Sequence, residues 1–391
     1  MNPSASGWIK KLLKELSKTP IWNQTDYNTF YDSLRESGFI YGSNIKVVKD
    51  YLNYPEMTEE EICKVNFLLA LNFIYRENNT SKHDFVESII NFYVEINAHS
   101  TSIFAEILGE KKSASLLEKI IHKRIQIDDN LIDRSFNYFI TNALLFTDIL
   151  AYKAFLQTQI ISEKHIQHLE SAIETIVSEV LNSKKKKTEY DNSLIKLVEQ
   201  SIRYKSHKNL TFKEALEFVN TDLEKYYIMD IASMATWGDL QIDKNEKTLL
   251  LKLGEQLNLE QERIDNSINF IEEFYNNNKD KIALLSSQNI VKTFYSNSSK
   301  MVTKLISRNS KRLQKELLES KELMVLLSKS TVRDLNDEEQ KKVQSQLLDI
   351  FKSIPSLAIF MLPGGALLLP LVIKFIPKLL PSSFDDNRIE D

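Results

Sequence analysis

Proline and glycine are scarce, at eight residues each in a chain of 391. Five of the prolines (Pro355, Pro363, Pro370, Pro377, Pro381) fall in the last 37 residues. The others are Pro3, Pro20 and Pro55, so the 299 residues from Glu56 to Ile354 contain none, and only three glycines (Gly109, Gly238, Gly254) interrupt them. A sheet protein of this size needs many tight turns, and turns draw on these two residues. Glycine-rich phosphate loops have almost nowhere to sit. The single cysteine, Cys63, cannot close an internal disulfide, which fits a reducing cytosol. It stands in an apolar run, where a buried, inert thiol is expected rather than a nucleophile. The opening Met1-Asn-Pro-Ser-Ala-Ser-Gly-Trp8 has no basic stretch followed by an apolar core, so no secretory signal is expected. What is present is 42% hydrophobic and 27% charged residues, enough to pack cores and too apolar for global disorder. The expected fold is all-α: a multi-helical body of long helices joined by polar turns.

From Trp8 to about Ser183 the sequence reads as successive amphipathic helices. Thr58 and Glu61 form a capping box that opens one of them. The run Ile62 to Ile74 is nearly all apolar and predicts a central core helix; Phe139 to Phe155 predicts a second. Asp148, inside that second run, is a buried acid for which a structural partner is expected rather than a catalytic role. Four lysines, Lys184 to Lys187, mark a boundary after residue 183, and the polar stretch Tyr275 to Asp280 marks the next. The predicted divisions are 1–183, 184–280, basic amphipathic helices over 281–353, an apolar Pro-rich segment over 354–384 and a tail, 385–391.

Within 184–280 an apolar helix runs to Gly238, an acidic turn follows, and a helix starts at Asp243 with Glu246 three residues on. This arrangement resembles the helix–turn–helix centre of TerB-like domains, although Trp237-Gly-Asp239 replaces the usual Ala-Asp-Gly. The resemblance implies that Asp239, Asp243 and Glu246 hold a divalent cation. The alternative is an N-cap with a capping box, since acids favour a helix N-terminus without metal. An EF-hand is excluded, because the twelfth position from Asp239 is Leu250 rather than a glutamate. Thr147-Asp148-Ile149 and Met229-Asp230-Ile231 echo one another faintly. His165 and His168 lie one helical turn apart with no third ligand near. No Ser/His/Asp, Cys/His or paired-carboxylate spacing is recognisable, so no enzymatic activity, DNA partner or small-molecule substrate is expected.

Residues 281–315 carry eight basic side chains and no acid, which leaves −12 on the rest of a chain of net −4. Lys300, Lys304, Arg308 and Arg312 recur every four residues, with Lys311 and Lys315 beside them. Val302, Leu305, Ile306 and Leu313 supply the apolar face. Such a helix suits an anionic membrane leaflet or a phosphate backbone such as ribosomal RNA; a packed helix with a basic solvent face is the plainer alternative. Asn336 and Glu339 then cap a helix carrying Val343, Leu347, Ile350 and Phe351. Ile354 to Ile373 follows, twenty residues without a charge, edged by Lys374 and Lys378. Pro363-Gly364-Gly365 interrupts it, so a kinked span, a re-entrant hairpin and a soluble Pro-broken pair all remain open.

Pro363, Pro370 and Pro377 fall seven apart, and the text closes Leu367-Leu-Leu-Pro370 … Lys374-Phe-Ile-Pro377-Lys-Leu-Leu-Pro381-Ser-Ser-Phe384. This resembles the membrane segment of the Letm family, as does the entry Asp349-Ile-Phe351-Lys-Ser-Ile-Pro355. The layout as a whole, opening included, is similar to bacterial Letm-related proteins of the biofilm-associated type. The resemblance implies a protein anchored in the bacterial inner membrane with its body facing the cytoplasm. Its implied work is ion homeostasis or recruitment of a cytosolic partner such as the ribosome. Ala366 stands where the family commonly carries an acid. The domain that follows this segment in the family is expected to be missing, since the text ends at Asp391. Both points favour a scaffold or adaptor over an antiporter. The alternative reading is a soluble TerB-like metal-responsive module whose Pro-rich tail packs on its own core.

Overall fold

A computed structural model describes residues 2–19, 25–48, 57–78, 84–98, 113–125, 131–160, 163–183, 210–236, 242, 244–278, 306–307, 309–333, 335–354, 357, 372–373 and 376. Fourteen helices and no strand occur among the described residues, so the all-α expectation holds. They are α1 (Trp8–Leu16), α2 (Tyr27–Glu36), α3 (Glu59–Glu77), α4 (Phe85–Ala98), α5 (Ala114–Ile125), α6 (Leu131–Thr158) and α7 (Glu163–Asn182). After these come α8 (Phe212–Glu217), α9 (Asp222–Thr236), α10 (Lys244–Gln256), α11 (Gln261–Asn278), α12 (Ser310–Glu319), α13 (Lys321–Val332) and α14 (Asp337–Ser353).

The termini of these helices follow from their sequences. Thr58 accepts from the Glu61 backbone N–H while Glu61 accepts from the Thr58 N–H at 2.9 Å, the predicted capping box of α3. Asn336 and Glu339 do the same for α14. The opening Asn-Pro-Ser-Ala-Ser-Gly-Trp also acquires a physical reason. Gly7 takes a left-handed φ of 89° before α1, and the Glu118 carboxylate on α5 accepts from the Gly7 and Ile9 N–H groups at 3.0 and 3.1 Å. Ser4 donates to Glu61 at 2.7 Å. Together these contacts fasten the N-terminal arm to α3 and α5, with Trp8 buried beneath it.

Two separate cores form. The first takes buried residues from Trp8 to Tyr275, on both sides of the four-lysine run. α3 packs on α6, and α9 packs against α6, α7, α10 and α11. α9 is buried without a break from Tyr227 to Thr236, as befits a helix surrounded by others. Cys63 lies fully buried there, consistent with an inert thiol. At Gly254 the approach of α11 is so close that a Cβ would meet Ile264 Cγ1 and Cδ1 at 2.4 Å, which explains the glycine within α10. The second core belongs to α12, α13 and α14. Leu313, Leu317, Leu323, Leu327, Val343, Leu347 and Phe351 are each fully buried in it.

Candidate functional site

The two echoing aspartates occupy equivalent settings. Asp148, fully buried on α6, takes both arms of the Arg124 guanidinium, Nε at 2.8 Å and Nη2 at 3.2 Å, and accepts from Tyr93 Oη at 2.9 Å. Asp230, fully buried on α9, accepts from Tyr31 Oη at 2.7 Å and pairs with Arg35 Nε at 3.2 Å. Each acid therefore sits within a helix in the core beside a tyrosine hydroxyl and an arginine, although Asp230 Oδ1 has no hydrogen-bond partner among the described residues. The structural reading of Asp148 agrees with this geometry.

The Asp230 cluster is the larger. Arg35 also donates to Tyr41 Oη at 3.2 Å and Asn266 Oδ1 at 2.7 Å, and its guanidinium lies 4.0 Å from the Phe270 ring centre. Burial works against the charge on Arg35, yet Asp230, with Tyr41 and Tyr31, holds its pKa above the ordinary guanidinium value. Burial first, and then the Asp230 charge, push the Tyr31 and Tyr41 hydroxyls well up, so both stay protonated as donors. Arg263 stands further off, 3.9 Å from Asp230 and 3.6 Å from the half-exposed Asp32, stacked 4.1 Å over Tyr226. The arrangement clamps α2 to α9 and α11. Sequence reading missed it because Arg35 looks like an ordinary basic residue in the last turn of a helix.

Of the acidic triad, Asp239 and Asp243 lie outside the described residues; Glu246 is buried in the first turn of α10. Among the described residues, no group of three or more His, Cys, Asp or Glu side chains is placed to hold a metal. His168 stacks on Phe218 with ring centres 3.9 Å apart, and the His165 side chain lies outside the described residues.

The basic stripe is described only at its end. Lys300, Lys304 and Arg308 lie outside the described residues, as do Val302 and Leu305 of its apolar face. On α12, Leu313 is buried as expected and Lys311 and Lys315 are exposed. Arg312 has a partner of its own: its guanidinium donates to the Ser353 carbonyl at the C-terminus of α14, where a cation is favoured. Val343, Leu347 and Phe351 of α14 are buried and Ile350 is half-buried, matching the predicted apolar face. A groove of about 470 Å³ runs between α13 and α14, lined in part by Glu322, Val325, Lys329, Glu339 and Lys342. Several of its charges are paired, Lys342 to Glu322 at 3.1 Å and Lys329 to Glu339 at 3.5 Å, and Arg333 makes two bonds to Glu339 at 2.7 and 2.8 Å. Those bonds from Arg333, with the Asn336 N–H, draw the Glu339 pKa down to about 2.

Of the expected membrane segment 354–384, only Ile354, Leu357, Val372, Ile373 and Ile376 are described. Pro363, Gly364, Gly365, Pro370, Lys374, Pro377 and Pro381 lie outside the described residues. Among the described residues no helix is long and apolar enough to cross a membrane. Ile354, Leu357, Val372 and Ile376 are instead buried in the second core.

Fold and site thus define an all-α protein whose C-terminal three-helix unit takes in both ends of an apolar, proline-rich run. Residues 335–391 match the family model described as LETM1-like, RBD, which starts one residue before the Asn336 cap. The Letm-like resemblance is therefore shown for this part of the chain. The match covers the α14 helix and the stretch read as the membrane segment. The match does not touch 184–280, so the TerB-like resemblance gains no support from it. No curated protein and no solved structure matches the chain.

Proposed function

We propose that this protein is a non-enzymatic, Letm-like adaptor at the cytoplasmic face of a bacterial inner membrane. Its helical body serves to hold a cytosolic partner near the lipid. The observation that carries the reading is the match of residues 335–391 to a family model whose description denotes a LETM1-like ribosome-binding domain. The ribosome is the partner this favours. Exposed Lys311 and Lys315 add positive charge next to the matched unit, suited to phosphate in lipid or RNA. A transport role is disfavoured by Ala366, an apolar residue where a coupling acid would be needed.

Two measurements on the same preparation test this. Carbonate-washed membranes should retain the full-length chain, and a deletion of 354–391 should be released. Detergent-solubilised full-length protein should co-sediment with ribosomes at low salt and come off as salt rises, because phosphate contacts release counterions. Full-length chain in the soluble fraction rejects the membrane half. Absence from the ribosome pellet at low salt rejects the partner.

A further inference from the structure

The outer face of α1 carries four lysines. At about 100° per residue, Lys10, Lys14, Lys18 and Lys11 fall within an arc of about 100°, while Trp8, Ile9, Leu12 and Leu16 take the far side and are buried. Lys18 stands in the turn that prolongs the helix, its N–H donating to the Glu15 carbonyl at 3.1 Å. All four lysine side chains are exposed, and none has an ion-pair partner among the described residues. Glu15, the one acid of the helix, is half-buried at the edge of the arc. α5, on which α1 packs, adds the exposed Lys119 and His122.

The stability of α1 does not ask for all of these lysines. Lys14 lies in the last turn, where the helix dipole favours a cation. Lys10 and Lys11 stand near the opposite end, where it favours acids, and the first turn holds none. Lys14 follows Lys10 by four residues and Lys18 follows Lys14 by four, spacings at which like charges repel. The counter-charge comes from another helix: the Glu118 carboxylate of α5 accepts from the Gly7 and Ile9 N–H groups at 3.0 and 3.1 Å. With the helix N-terminus satisfied from below, the ammonium groups face outward. A basic face that works against its own helix suits an anionic partner. Lipid fits it poorly. An interfacial helix lays its apolar side in the headgroup boundary, and here Trp8, Ile9, Leu12 and Leu16 are committed to the first core. What α1 presents is a hydrated row of point charges about one helical turn apart, which a nucleic-acid phosphate backbone accepts without reading of sequence.

We infer that Lys10, Lys11, Lys14 and Lys18 form a contact surface for the phosphate backbone of RNA. This deepens the ribosome half of the reading above, adding a contact on the body that does not involve residues 335–391. The experiment measures fluorescence anisotropy of a short labelled RNA duplex with the detergent-solubilised full chain, from low to high salt. Changing all four lysines to glutamine should weaken binding about tenfold or more at low salt. It should also flatten the slope of log K against log salt by about 3, since each phosphate contact contributes about 0.9. The urea midpoint of this variant should equal or exceed that of the parent chain; a clear fall would mean that the lysines serve the fold, and overturns the inference. Duplex binding that survives the four changes also overturns it. Phosphatidylglycerol mixed micelles supply the lipid arm: binding to them that needs the four lysines, with none to the duplex, assigns the face to lipid instead. Ribosome co-sedimentation separates this inference from the reading beneath it. A variant that pellets like the parent rejects the lysine face and leaves the ribosome as partner. A parent chain that binds the duplex through these lysines yet does not pellet with ribosomes keeps the RNA surface and rejects the ribosome.

Discussion

Removing the carboxylate of Asp230 should cost more than any other single truncation in the polar clusters. In Asp230→Ala the Arg35 guanidinium, whose side chain is 1% exposed, loses its buried counter-charge, and Tyr31 Oη loses its acceptor. Breaking a buried pair by deleting one partner costs about 3–5 kcal/mol, because the remaining charge stays desolvated. Some of that is recovered here, since Arg35 keeps Asn266, Tyr41 and the surface carboxylate of Asp32 at 3.1 Å. The expected loss is therefore about 3 kcal/mol, at the lower end of that range. Urea unfolding followed by far-UV circular dichroism would show it as a midpoint lower by roughly 1–1.5 M, taking a slope of about 2–3 kcal/mol/M. Two companions fix the cause. Tyr31→Phe should cost about 1.5–2 kcal/mol, the lower part of the range for one buried hydrogen bond to a charged group. Arg263→Met should cost under about 1 kcal/mol, since its ion pairs are long and its side chain is partly solvated. The double variant Asp230→Leu with Arg35→Met should recover much of the loss, as apolar replacements of whole buried pairs do. If Asp230→Ala shifts stability by less than 1 kcal/mol, or if Arg263→Met matches it, Arg35 and Asp230 are not the coupled pair described.

Gly254→Ala should destabilise by about 1–2 kcal/mol by the same assay. Its Cβ would press on Ile264 at 2.4 Å, and the strain exceeds the helix-propensity gain of about 1 kcal/mol. Phe351→Ala should loosen the second core by about 3–5 kcal/mol, read as faster hydrogen exchange over α13 and α14, whereas Ile350→Ala, half-buried, should have less than half that effect. Acid should weaken the start of α14. The folded pKa of Glu339 lies below its ordinary 4.5, so its contribution is complete above 4.5 and is lost as pH falls toward about 2. Glu339→Gln should remove that acid-sensitive component of helicity between pH 4.5 and 2, and superimposable acid titrations would refute it.

The helices that sequence reading placed best were those with a local cause. Thr58/Glu61 and Asn336/Glu339 are three-residue signals read by the backbone next to them, and the structure makes both boxes. The face of α14 was legible because Val343, Leu347 and Phe351 recur every four residues on one side. Arg35, by contrast, acquires its meaning from Asp230, 195 positions later, and no local pattern announces that pairing. The basic stripe shows a third case. Period alone puts Arg312 with Lys300, Lys304 and Arg308, and it does not announce that the exposed Arg312 guanidinium also donates to the Ser353 carbonyl at the end of α14. Asp148 and Asp230 were noticed as an echo of three residues. The echo persists in part: both carboxylates sit beside a tyrosine hydroxyl and an arginine, but Arg124 reaches both Asp148 oxygens while Asp230 keeps one oxygen without a hydrogen bond among the described residues.

The same physics bears on the C-terminal unit. Twenty uncharged residues look like a span only if their ends are free to separate. Here Ile354 and Leu357 on one side and Val372 and Ile376 on the other contribute to one core, and Arg312 holds the Ser353 carbonyl where the run begins. Burying each of those aliphatic side chains stabilises the unit by about 1.5–3 kcal/mol relative to exposure. A transmembrane arrangement would have to forgo part of that burial, yet gain little from moving the same side chains into hydrocarbon, which is no more apolar than the core they leave.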